Sequence, residues 1–192
     1  MFVLSRHVCV QLAFFLAGAR SAYAEEGARQ AIVLQGRAQP VCHFEAARAV
    51  RSTNMAVGGG SASQNILSVT QLIDSNARAV ATSIAVTLKG MCNHPHVMTV
   101  SSGNGGLDPQ TRTEAGSGFV QRFNYGASVA WGPSVVTLQT GGIQGQSTPE
   151  AVAPGAVSGD LRIDIEVDDP GDSPVVAGTY TDNLVITFRP LL

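Results

Sequence analysis

The sequence predicts an all-β protein, a sandwich or barrel of about eight short strands. Three observations lead there. Short runs alternate apolar and polar residues with a period of two, and clusters of Gly, Pro, Asn and Asp separate them. Helix signals are nearly absent from a chain rich in Val, Thr, Ser and Gly.

Taken in order, residues 1–24 have the organisation of a secretory signal peptide. Arg6 stands near the start, an apolar run over 8–19 contains Leu12, Phe14, Phe15 and Leu16, and Ala22-Tyr23-Ala24 forms a small-x-small cleavage site. The run is shorter than the roughly 18 apolar residues a membrane helix needs, and no later segment approaches that length. The mature chain is therefore expected to be exported and to carry no helical membrane span. Cys9 leaves with the peptide, so only Cys42 and Cys92 meet an oxidising compartment, and one intramolecular bridge between them is expected.

Cleavage leaves ten basic against fourteen acidic residues, a net charge of −4. Lys89 is the only lysine and the arginines are scattered, so the chain lacks the basic stripe that nucleic-acid binding requires. The length of the mature chain suits one domain. We divide it into an N-terminal extension, 25–41, and a single β domain, 42–192.

Within the extension, residues 32–38 alternate, placing Ile32, Leu34, Gly36 and Ala38 on one face. A short strand is expected near Cys42. Further strands are expected over 66–73 and over 79–88, where Val80, Thr82, Ile84, Val86 and Leu88 share a face. Others fall at 96–101, at 119–131 with a bend at Gly126, at 135–139, at 161–167 and at 178–188. In 161–167 the division is clean: Leu161, Ile163, Ile165 and Val167 face one way, Arg162, Asp164 and Glu166 the other. Phe119, Phe123, Tyr125 and Trp131 are expected in the core, because large aromatics dominate the packing of small domains. Residues 57–64 with their triple glycine, 103–118 and 141–159 read as loops.

Catalytic patterns are missing: there is no G-x-S-x-G elbow, no H-E-x-x-H pair and no free mature cysteine, so a non-enzymatic role is expected, with no cofactor. Cys92, His94 and His96 would share a face of an extended segment, and His43 sits beside Cys42, a grouping that suits zinc or copper. A Cys42–Cys92 bridge consumes both thiolates, and polar decoration of strand ends is the simpler reading. Asp164, Glu166, Asp168, Asp169 and Asp172 lack the spacing of a calcium loop and read as a solvated strand face and turn.

The two ends of the mature chain carry a resemblance. An alternating segment with a glycine, 32–38, followed closely by Cys42, resembles the N-terminal extension of chaperone-usher pilins. Gly178-Thr179-Tyr180-Thr181-Asp182 leading into an alternating strand looks like the last strand of the spore coat protein U-like branch of those fimbrial proteins. Cys92-Asn93 and the Gly- and Asn-rich 101–107 are similar to the segment after the second cysteine there. The resemblance covers about a third of the mature chain, and Arg189-Pro190-Leu191-Leu192 extends past the family's expected end.

The resemblance implies an immunoglobulin-like sandwich lacking one strand, built into a pilus-like fibre on the cell surface after passage through the periplasm. Its partners would be a periplasmic chaperone, an outer-membrane usher and neighbouring subunits. Ile32, Leu34, Gly36 and Ala38 would be the donor face, and Tyr180, Leu184, Ile186 and Phe188 would line the acceptor groove or its edge. Alternatively, 32–38 is an ordinary first strand of a self-contained secreted sandwich that binds a ligand through its loops. A small outer-membrane barrel has a suitable length but wants aromatic girdles, and the seven mature aromatics cluster mainly in 119–131.

Overall fold

The computed structural model describes residues 30–61, 64–111, 114, 116–141 and 148–191; the segment 1–24, expected as a signal peptide, and residues 25–29 of the expected extension lie outside them. Residues 1–37 and 38–192 form separate units. In the first, residues 30–37 carry no strand. The second is all-β: β1 (Cys42–Phe44), β2 (Arg48–Thr53), β3 (Met55–Ser61), β4 (Gln64–Val69), β5 (Thr82–Cys92), β6 (His96–Ser102), β7 (Asp108–Pro109), β8 (Tyr125–Trp131), β9 (Ser134–Gln139), β10 (Glu150–Ala153), β11 (Val157–Val167), β12 (Tyr180–Thr181) and β13 (Leu184–Pro190).

One sheet runs β1-β5-β11-β8-β9, with β2 also paired to β5, and a second runs β10-β6-β13; all these ladders are antiparallel. Alternation creates the core. Ile84, Val86 and Leu88 of β5, Leu161 and Ile163 of β11, and Ala127, Val129 and Trp131 of β8 are buried in one cluster with Met98 and Val100 of β6. Both sheets thus contribute their inner faces to one sandwich-like core. On the outward face of β11, Arg162, Asp164 and Glu166 remain exposed, and Arg51 of β2 pairs with Asp164 at 3.1 Å.

Six positions match the immunoglobulin order, in which strands A-B-E-D form one sheet and C-F-G the other, while β9 and β10 are additions between the strands matched to D and E. β1 with β2 stands as A, β5 as B, β6 as C, β8 as D, β11 as E and β13 as F. Tyr180 supports this assignment, because just before β13 its hydroxyl donates to the Val176 carbonyl at 2.6 Å, the arrangement of a tyrosine corner. Position G, beside β13, has no counterpart among the described residues.

The bridge joins Cys42 to Cys92, which are also cross-strand partners in β1 and β5. Next to it, Phe44 lies over Gly90, its own cross-strand partner, where a Cβ would meet the ring at 2.2 Å. The ring stacks on Phe188 at 4.6 Å and meets Trp131 edge-on at 5.2 Å. The tight β8–β9 turn rests on Gly132 at a φ of 55°, which the turn requires and a side chain would strain.

Several expectations change. The triple glycine belongs to β3, paired with β4 around a bulge between Val57 and Gly60, because backbone pairing tolerates glycines that propensity disfavours. The strand expected over 79–88 starts at Thr82 and continues to Cys92, and that over 119–131 starts only at Tyr125. Phe119 is 50% exposed rather than in the core, whereas Phe123, Tyr125 and Trp131 are buried. The region 178–188 breaks into β12 and β13 at Asp182. Residues 141–159, expected as a loop, include β10 and the start of β11.

Candidate assembly site at the open edge

The two lateral sides of the sandwich differ. On one, β9 and β10 meet, and the Ser134 hydroxyl donates to the Val152 carbonyl at 3.0 Å, tying the edges together. On the other, Phe44 of β1 and Phe188 of β13 touch, but no described strand pairs with the outer side of β13.

Register determines what that outer edge offers. The Gly103 amide donates to the Asn183 carbonyl and the Leu191 amide to the Pro95 carbonyl. Antiparallel ladders alternate bonded and non-bonded pairs. Val185, Thr187 and Arg189 therefore bond to β6, while Leu184, Ile186 and Phe188 aim their backbone groups outward. Pro190, which has no amide hydrogen, falls in the outward set, a position where an edge strand accommodates proline. The side chains of Leu184, Ile186 and Phe188 are half-buried against the core. An apolar row and a set of outward backbone groups thus coincide on the same three residues.

Across from this edge, β2 is exposed along its whole length. Ala49 and Ser52 pair with Val86 and Ile84, whose side chains are core, yet both remain exposed. Val50 sits at a register shift and is also exposed. Small residues and a bulge blunt this edge, one of the recognised ways of managing free strands.

Of the residues expected at the acceptor groove, Leu184, Ile186 and Phe188 lie on β13, while Tyr180 lies on β12, which pairs with β7. Its ring packs edge-on against Phe123 at 5.2 Å. Burial raises the Tyr180 phenol above its ordinary pKa. The residues expected as a donor face, Ile32, Leu34, Gly36 and Ala38, carry no strand, and Ile32 and Leu34 are 81% and 92% exposed.

Sequence reasoning missed the group that holds the start of β13. The Asp182 carboxylate accepts hydrogen bonds from the Ser102 hydroxyl, the Tyr125 hydroxyl at 2.7 Å, and the amides of Asn104 and Asn183 at 2.8 and 2.7 Å. Burial pushes its pKa up, but the bonds from Ser102 and Tyr125, then Asn104 and Asn183, outweigh this and hold it below 3.8. Burial, reinforced by the Asp182 hydrogen bond, raises the Tyr125 phenol far above its ordinary value. The one available signal was the aspartate of the Gly-x-Tyr-x-Asp segment.

A pH prediction follows from the lowered carboxyl. Its stabilising contribution is present above the unfolded value near 3.8 and is lost as pH falls through the lower folded value. Asp182→Asn is expected to lower the melting temperature at neutral pH, with the deficit shrinking as the pH falls from near 3.8 through the lower folded value. Melting curves from neutral to acidic pH check this, and a deficit constant with pH counts against it.

The histidines are placed by hydrogen bonds. His96 is buried, its Nδ1 donates to the His94 carbonyl at 2.9 Å, and its Nε2 accepts from the Trp131 indole at 2.9 Å. Both ring nitrogens are engaged, which leaves neither to bind a metal. His94 Nδ1 donates to the Pro95 carbonyl, and its Nε2 lies 3.7 Å from the Cys42 sulfur. Among the described residues, no group of three or more His, Cys, Asp or Glu is arranged to hold a metal ion. No described helix is long and apolar enough to cross a membrane.

These features define the class: an all-β, disulfide-bridged, sandwich-like domain in which the edge of β13, free among the described residues, carries an apolar row. No protein-family model, curated protein or solved structure matches the chain.

Proposed function

We propose that this chain is an exported, non-catalytic structural subunit whose copies join into a surface fibre by strand donation. One observation carries the reading: Leu184, Ile186 and Phe188 present outward backbone groups and a half-buried apolar row at an edge with no described partner strand. The occupant is residues 32–38 of a second copy, with Ile32, Leu34, Gly36 and Ala38 facing the groove. That segment has the period-two pattern an added strand needs, and its apolar residues are exposed in the free chain. Main-chain bonds to β13 would supply affinity and the alternate side chains specificity.

The resemblance to chaperone-usher pilins supports the same reading and supplies the partners: a periplasmic chaperone that covers the edge before assembly, and an outer-membrane usher. The Cys42–Cys92 bridge suits passage through an oxidising compartment. An uncovered edge beside apolar surface is an aggregation hazard, which is the physical need a chaperone would meet.

Size exclusion of the mature chain over a range of concentrations, with electron microscopy of the heavy fractions, tests the reading. The expected result is concentration-dependent oligomers that grow into fibres. A monomer stable at every concentration, without dye-accessible apolar surface, would overturn it in favour of a self-contained sandwich.

A further inference from the structure

Gln39, Pro40 and Val41 link the extension to β1, and one residue, Asn93, holds both ends of this link. Asn93, directly after the bridged Cys92, accepts from the Val41 amide through Oδ1 at 2.8 Å and donates through Nδ2 to the Gln39 carbonyl at 2.9 Å. Its own amide donates to the Val41 carbonyl at 3.1 Å. Between the two clamped residues, Pro40 locks its own φ and restricts Gln39 to extended conformations. The bridge at Cys42 pins the next residue.

We propose that Asn93 is a positioning residue for the joint between subunits, making 39–41 a stiff connector rather than a flexible linker. This rests on the strand-donation reading. Asn93 is exposed, and the groups it binds are exposed enough for water to replace it, so its three bonds add little to the stability of the domain. What water cannot replace is the single geometry they impose on three consecutive residues. If 32–38 is held in a neighbour's groove, the freedom of 39–41 is the freedom of one subunit against the next. A Gly- or Ser-rich connector of that length would be a coil, whereas this one is restrained at every residue.

The test compares the unmutated mature chain with Asn93→Ala and Pro40→Gly. Three quantities are measured: joined subunits by denaturing gel, monomer melting temperature, and fibre persistence length by electron microscopy. Both variants are expected to melt like the parent and to join as well, but to give fibres with persistence length reduced several-fold. Loss of joining at an unchanged melting temperature also supports a positioning role. Fibres as stiff as the parent's overturn the clamp and leave strand donation standing. A lowered melting temperature with loss of joining assigns Asn93 to the fold and overturns its role at the joint. Failure of the unmutated chain to form fibres overturns the strand-donation reading, and the joint with it.

Discussion

Replacing Leu34 by Asp is expected to abolish joining between subunits while leaving the melting temperature of the isolated domain unchanged. Leu34 is 92% exposed in the free chain and residues 30–41 carry no strand, so the substitution removes no packing from the domain. In the joined state the same side chain would lie against the core beside β13. Losing a buried leucine there forfeits about 1.5–3 kcal/mol. Burying a carboxylate without a partner, or neutralising it, costs several kcal/mol more. A combined loss of about 5 kcal/mol weakens association by more than three orders of magnitude, at 1.4 kcal/mol for each factor of ten.

Val33→Asp is the control. Val33 is also exposed, at 75%, and differs from Leu34 little in hydrophobicity, but it projects from the opposite face of an extended segment. Joining should survive that change, so the contrast isolates strand geometry from loss of apolar character. Gel ladders and melting curves for both variants measure it. Equal loss of joining in the two would show that the face does not matter; unfolding of the monomer by Leu34→Asp would return 32–38 to the role of an ordinary core strand.

The second large effect is expected on removing the bridge. Cys42 and Cys92 are 50 residues apart, and in the chain-entropy model closing such a loop stabilises the fold by about 4 kcal/mol. Strand β1 has only three residues, so the bridge is a large share of what holds it to β5. Loosening β1 would also loosen Phe44 from Trp131 and Phe188, where it covers the end of the β13 edge. The double variant Cys42→Ala, Cys92→Ala is therefore expected to unfold at markedly lower urea concentration, with a loss of about 2–5 kcal/mol. Denaturation curves with and without reductant, paired with thiol alkylation and mass spectrometry, provide the measurement. A midpoint unchanged after complete reduction would mean that strand pairing alone holds β1.

The strands that could be read directly are those with one buried face. The inward row of β11, Leu161, Ile163, Ile165 and Val167, and that of β5 from Thr82 to Leu88 appear in the sequence because burial on one side imposes a period of two. The Cys42–Cys92 bridge was equally plain, since the expected export with loss of Cys9 leaves a single pair to join. Strand β2 was illegible for the opposite reason: all six of its residues are exposed, so no alternation marks it. β3 was hidden behind glycines that only its pairing with β4 makes a strand.

By itself, then, the sequence determined the all-β class, the bridge, the aromatic core around Trp131 and the alternating pattern of 32–38. These depend on local periodicity and residue chemistry. Tertiary structure alone decided that Asp182 splits 178–188, because its four hydrogen-bond donors come from the end of β6 and the turn after it, from the start of β8, and from its own neighbour. It also decided that Asn93 holds 39–41. Above all, it decided which backbone groups of β13 face outward. That property belongs to the pairing with β6 more than 80 positions earlier, since a shift of one residue would turn Leu184, Ile186 and Phe188 away from both the core and the open edge.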